Sequence, residues 1–237
     1  MRSMFFKVAV APLTFFFSSL CWLFARVGEH GLIAHRLECL WAKSLLLAAG
    51  VRVEADLSAL DPQGTYVFMA NHQSHLDIPI LFATLSRYNF RFLAKESLFE
   101  IPLFGPAMRR MGHVAIDRGN RRKAMESIQE AVDLVDGGVG LLVFPEGTRS
   151  MDFTKIQEFK TGGMIVALKC RAMVAPVIIS GSGSILAKHG RRLTPGLVRV
   201  RALPPFDAAA AYTLKAREAF KNDLWDRMNA AYQEMRA

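Results

Sequence analysis

The chain has 237 residues, enough for one large domain or two small ones with a proper hydrophobic core. Hydrophobic residues make up 51% and charged residues 22%, which excludes a disordered chain, and a mean hydropathy of +0.19 is high for a soluble enzyme and low for a polytopic transporter. Cys21, Cys39 and Cys170 are far apart and form no C-x-x-C pair, which argues against a disulfide framework or a thiolate zinc site and for a reducing compartment.

The net charge is +9, and the excess is local. Residues 159–206 carry Lys160, Lys169, Arg171, Lys188, Arg191, Arg192, Arg199 and Arg201 and no acid. Such a stretch either attracts an anionic partner (lipid headgroups, nucleic acid or an acidic carrier protein) or forms a solvated basic surface.

In chain order, the first element is an uncharged run over 8–25, rich in Phe and Leu and bracketed by Lys7 and Arg26. As a helix it would be about 27 Å long, at the lower limit for crossing a bilayer. Pro12 falls near its start, where proline is tolerated. A signal peptide would begin similarly, but no small-x-small site follows, and Leu20 before Cys21 makes a poor lipoprotein site. Residues 32–48 form an amphipathic segment, with Ile33, Leu37, Leu40, Trp41, Leu45 and Ala48 near a 3.6-residue period and Arg36, Glu38 and Lys43 on the polar side. Together the two segments predict a helical hairpin in or along one leaflet; a true span followed by an amphipathic helix is the alternative.

The remainder alternates strands and helices. Strands are expected over 51–55 and 65–69, a helix over 75–85, a strand over 91–94, and a broken helix over 98–111 containing Pro102 and Pro106. A short strand over 113–116 precedes a helix over 121–135 that Gly137 and Gly138 stop. A buried strand over 140–144, a helix over 161–170 and strands over 173–180 and 197–202 follow. The last element is a helix over 212–235, with Leu224, Met228, Ala231 and Met235 on one stripe. The pattern predicts an α/β fold with a mixed sheet. It divides the chain into N-terminal membrane-associated helices, residues 1–50, and an α/β domain, residues 51–237.

Three clusters carry chemistry. In Asn71-His72-Gln73-Ser74-His75-Leu76-Asp77, His72 offers an imidazole able to act as a base near neutral pH. Ser74 and Asp77 make an S-x-x-D capping box, so His72 lies in the extended entry and Asp77 can point back to orient it. Asp77 as a plain cap and His72 as a loop histidine is the alternative; His75, two before Asp77, faces away from it. In Gly112-His113-Val114-Ala115-Ile116-Asp117-Arg118, an arginine ends a short strand, placed for a phosphate or for a salt bridge to a surface acid. In Phe144-Pro145-Glu146-Gly147-Thr148-Arg149-Ser150, a strand opens into a tight turn with a second arginine, an anion cradle or a simple turn. No phosphate-binding P-loop, dinucleotide fingerprint, nucleophile elbow or zinc motif is present in the sequence.

In these blocks the chain resembles the glycerolipid acyltransferases, and within them the 1-acylglycerol-3-phosphate (lysophosphatidate) acyltransferase family. His72 and Asp77 match the family's H-x-x-x-x-D motif, Ile116-Asp117-Arg118 its second block, and residues 144–150 its third. Ala175-Pro176-Val177-Ile178 resembles the fourth, with Ala where Val often precedes the Pro. Gly112-His113-Val114-Ala115 departs from a pattern in which an aromatic often precedes Ile-Asp-Arg.

The resemblance implies an α/β acyltransferase domain behind a membrane-bound helical pair. It implies transfer of an acyl group from acyl-CoA or acyl carrier protein to the sn-2 hydroxyl of lysophosphatidate, with no cofactor or metal. His72 would be the base and Asp77 its partner. Arg118 and Arg149, with Glu146, Gly147 and Thr148 shaping the turn and Lys95 as a further candidate, would bind the substrate phosphate. The expected setting is the cytoplasmic face of an inner membrane, with the lipid surface as partner and no nucleic acid, since aromatics do not interleave the basic residues. Another lyso-lipid such as lyso-ornithine lipid is the alternative acceptor. A non-enzymatic basic membrane-surface protein leaves the blocks unexplained.

Overall fold

The computed structural model describes residues 2–25, 27, 31–117, 119–190 and 192–236, so Arg118 lies outside the described residues. Two long helices come first, α1 (Arg2–Phe24) and α2 (Leu32–Ala49). Then follow β1 (Val51–Asp56), β2 (Tyr66–Ala70), α3 (Asp77–Thr84), β3 (Phe90–Lys95), α4 (Phe104–Arg110), β4 (Val114–Ile116), α5 (Arg121–Asp136) and β5 (Gly140–Val143). The chain continues with α6 (Thr161–Cys170), β6 (Met173–Ser180), α7 (Ser182–Ile185), β7 (Gly196–Ala202), α8 (Ala208–Ala211) and α9 (Arg217–Arg236).

The seven strands form one sheet in the order β1-β7-β6-β2-β5-β3-β4. Neighbours are parallel except β6 and β7, so the sheet is mixed as expected. Central β2 is buried on both faces, which is why its sequence is a continuous apolar run. Phe68 and Ala70 face a cluster built with α2 and α3; Val67 and Met69 face a second cluster built with α5, α6 and α9. Each fully buried side chain of this size contributes about 1.5–3 kcal/mol.

Three sequence expectations need correction. The 98–111 segment is a 3₁₀ turn over Glu96–Glu100 and then α4, because Pro102 interrupts the hydrogen-bond ladder between them. The last long helix begins at Arg217 rather than 212; Asp207 caps the short α8, and Thr213 caps a 3₁₀ turn that redirects the chain. In α2 the core face is Ala34, His35, Glu38, Cys39, Ala42, Leu45, Leu46 and Ala49, while Ile33 and Leu40 are exposed. The buried Glu38 accepts from His113 Nε2 at 2.5 Å. His113 Nδ1 in turn accepts the Phe92 amide at 3.0 Å, so the ring proton sits on Nε2. A carboxylate is tolerated inside because its partner comes from β4's entry, 75 residues away.

The first two helices run antiparallel. Arg2 lies against Gly50, Thr14 Oγ1 accepts from Trp41 Nε1 at 3.2 Å, and Cys21 Sγ meets the Ala34 carbonyl at 3.8 Å. Helix α1 is long and apolar enough to cross a membrane, yet it also packs on α4. Its outer face exposes Phe5, Val8, Phe15, Phe16, Trp22 and Leu23. At its far end Arg110 stacks on Trp22, 4.6 Å from the ring centre.

Candidate active site

Strands β6, β2, β5, β3 and β4 all run the same way, so their carboxyl ends share one edge of the sheet. Ligand sites in open α/β sheets form at this edge. The first cluster leaves β2 here, the third leaves β5, Lys95 ends β3 and Ile116 ends β4.

Asn71 sets the direction of the exit from β2. Its amide exchanges hydrogen bonds with the Ile179 backbone at 2.9 and 2.7 Å, extending the β2–β6 pairing by one step. His72 then turns its Nδ1 onto Asp77 Oδ2 at 2.7 Å. The same oxygen accepts the amides of Gln73 and Ser74 at 2.6 and 2.8 Å. Ser74 Oγ accepts the Leu76 amide at 3.1 Å rather than that of Asp77, so only the carboxylate half of the expected S-x-x-D box forms, and the helix starts at Asp77 rather than at Ser74. Asp77 is fully buried, and the His72 ring stacks on Phe144 at 3.9 Å with 13° between planes. With Nδ1 engaged by Asp77, Nε2 is the other ring nitrogen. His75 is turned away, its Nε2 on the Lys188 carbonyl at 3.1 Å.

The third cluster grips the backbone of His72 from both sides. Glu146 Oε1 accepts the His72 amide at 2.6 Å, and the Ser150 amide donates to the His72 carbonyl at 2.7 Å. Gly147 makes the intervening turn at φ +71°, where a side chain would be strained. Glu146 is fully buried; its Oε1 is taken by the His72 amide and its Oε2 is buried without a partner, so in this structure it shapes the turn and holds the His72 backbone.

Burial pushes the Glu146 carboxyl up to about 8; the His72 amide opposes this, and nearby Asp77 adds to it. Between pH 4.5 and 8 the unfolded chain ionises this group while the folded chain keeps it protonated, so stability falls as pH rises through that window and levels off above it. Thermal unfolding in detergent should show that slope in the wild type and a flatter one in Glu146→Gln. Equal slopes would assign it to other groups.

The remaining candidates lie on two flanks of His72. Thr148 is exposed and Arg149 half-buried, its Nη1 buried without a hydrogen-bond partner. Burial lowers the Arg149 pKa and the Asp77 charge opposes the shift, which puts Arg149 on the His72–Asp77 side. Lys95 is exposed and lies opposite Ile116, two strands from β2, roughly 10 Å. Arg118 falls outside the described residues; its neighbour Asp117 interacts with Lys123 at 3.8 Å. Sequence reasoning missed the segment after β6 as part of the site. Ser74 Oγ donates to the Leu186 carbonyl at 2.6 Å, and Lys188 Nζ to Thr148 Oγ1 at 3.0 Å. The only signal was the excess of positive charge in 159–206.

An apolar pocket lies beyond Phe144. Phe144 packs on Phe92 at 6.1 Å, and Phe92 lines a pocket of about 60 Å³ bounded by Phe17, Trp41, Ile78, Phe104 and Met108. The His113–Glu38 pair closes one wall.

The acyltransferase family model matches residues 51–180. A 1-acyl-sn-glycerol-3-phosphate acyltransferase of Chlamydomonas reinhardtii is 39% identical over 178 residues, covering 73% of this chain and 53% of its own. The chloroplast enzyme LPAT1 of Arabidopsis thaliana, of the same name, is 34% identical over 184 residues, 76% of this chain and 50% of its own. The Escherichia coli enzyme of that name is 33% identical over 147 residues, 62% of this chain and 58% of its own. This chain therefore spans about half the length of the curated relatives it matches. The crystal structure of an LPA acyltransferase from Thermotoga maritima superposes with a TM-score of 0.83 at 24% identity, covering 100% of this chain and 95% of that one, a likeness of fold.

Proposed function

The chain belongs to the acyltransferase family, and from that premise we propose that it acylates the sn-2 hydroxyl of 1-acylglycerol-3-phosphate, giving phosphatidate in phospholipid synthesis. The observation that carries this reading is the His72–Asp77 pair, 2.7 Å apart, set near an apolar pocket and a half-buried arginine. The relatives' shared name supports the acceptor.

In the proposed reaction His72 Nε2 takes the hydroxyl proton as the oxygen attacks the thioester carbonyl carbon. Asp77 holds the ring and stabilises the imidazolium. The tetrahedral intermediate collapses, the C–S bond breaks, and the imidazolium returns the proton to the departing thiolate. No enzyme nucleophile is needed. The donor, acyl-CoA or acyl carrier protein, is a substrate, and no cofactor takes part. Arg149 holds the acceptor phosphate as a remote handle that brings the hydroxyl to Nε2. The apolar pocket beyond Phe144 and Phe92 receives only the start of an acyl chain.

The setting is a membrane surface, in our reading an inner membrane with the site on its cytoplasmic face. Because α1 packs along α2 and α4, a crossing of the bilayer would break that packing, whereas lying in the interface buries Phe5, Val8 and Phe16 in lipid. Replacing these three by serine should sharply reduce flotation with liposomes, while turnover on detergent-dispersed substrate stays within about two-fold. Unchanged flotation would move the contact to the basic 159–206 region.

The test of the function crosses two acceptors, lysophosphatidate and lyso-ornithine lipid, with acyl-CoA and acyl carrier protein donors. Phosphatidate formation is the expected product. Transfer to lyso-ornithine lipid alone would overturn the assignment.

A further inference from the structure

We infer that Lys188 is a second binding residue for the acceptor's phosphate, completing with Arg149 a two-cation site on the β6 side of His72. The inference rests on the acyl-transfer reading above and adds a residue outside the four sequence blocks.

Lys188 is half-buried, and its ammonium is held at 3.0 Å by the hydroxyl of Thr148, the residue next to Arg149. Among the described residues neither Lys188 nor Arg149 forms an ion pair with a carboxylate. The two acids of the site, Asp77 and Glu146, are fully buried and already bonded to His72. Both cations border His75: its ring nitrogen meets the Lys188 carbonyl, and the Arg149 charge acts on it, so an anion at this place would meet both. Arg149 also keeps a buried Nη1 without a partner.

The geometry selects the anion's class. A phosphate monoester presents three outward oxygens; the planar guanidinium matches two of them, and a lysine supplies a point charge for the third. The segment carrying Lys188 is tied to the first cluster, through Ser74 Oγ on the Leu186 carbonyl and His75 Nε2 on the Lys188 carbonyl. A phosphate bound here is therefore at a set distance from the base, which is what a positioning handle requires.

The experiment measures Lys188→Met and Lys188→Arg on lysophosphatidate and on a monoacylglycerol, each with acyl-CoA and with an acyl thioester of N-acetylcysteamine, which has no phosphate. For Lys188→Met the expected loss in kcat/KM on lysophosphatidate is about 10- to 100-fold, carried mainly by KM, and under about three-fold on the monoacylglycerol. Lys188→Arg should recover most of it. Equal losses on both acceptors would reduce Lys188 to a strut for Thr148, and a loss following the donor's phosphate would reassign the site; either overturns the inference, as does no loss. Calorimetric binding of glycerol 3-phosphate needs no turnover. Binding by the wild type that weakens in Lys188→Met supports the site even if lysophosphatidate proves not to be acylated, and equal binding by the two proteins overturns it.

Discussion

Purified His72→Ala is expected to lose turnover by a factor of at least about 10², the usual worth of a positioned general base. The fold should survive. His72 is partly exposed, and its ring stacks on Phe144; losing such a stack costs about 0.5–1.5 kcal/mol. Its backbone remains held by Glu146 and Ser150 whatever the side chain. His72→Gln, which keeps a polar side chain over Phe144, should be as inactive as His72→Ala, so that misfolding and lost chemistry are separable. His75→Ala provides the contrast. Its Nε2 is already used on the Lys188 carbonyl, so its loss should be under about ten-fold. Steady-state kinetics with thermal unfolding on the same preparations decide the matter. More than a tenth of wild-type turnover in His72→Ala would remove it as the base.

The site was legible in sequence where its parts are local. His72 and Asp77 are five residues apart, and the Ser74 amide holds the carboxylate back towards the entry loop. The β2, β5 and β6 strands were legible because burial on both faces leaves uninterrupted apolar runs. What escaped is built from partners distant in sequence. A glutamate on an amphipathic helix reads as exposed, yet Glu38 is buried because His113 meets it. Glu146 reads as one more polar residue in a turn, although its role is to hold the amide of a residue 74 positions earlier. Lys188 reached the site through the connection between the antiparallel β6 and β7, which no local pattern announces. The start of the last long helix was misjudged because the Asp207 and Thr213 caps divide the segment before Arg217 into separate turns.

Asp77→Asn is expected to cost a further factor of order 10² in kcat/KM relative to any structural effect, and its geometry makes the cause readable. Three donors converge on Oδ2: His72 Nδ1 and the amides of Gln73 and Ser74. An asparagine must keep its carbonyl oxygen in that position, or two buried amides lose their acceptor. The new NH₂ group therefore takes the place of Oδ1, which is buried and without a hydrogen-bond partner. One unsatisfied buried donor costs about 1–3 kcal/mol, visible as a lower thermal midpoint but compatible with a folded protein. The oxygen still accepts from His72 Nδ1–H, so the ring keeps its orientation and tautomer. Only the negative charge is gone, and with it the stabilisation of the imidazolium that forms as the hydroxyl is deprotonated. The plateau of kcat/KM should accordingly fall while the protein stays folded. A cap without a catalytic part predicts the same lower midpoint with turnover above a tenth of wild type.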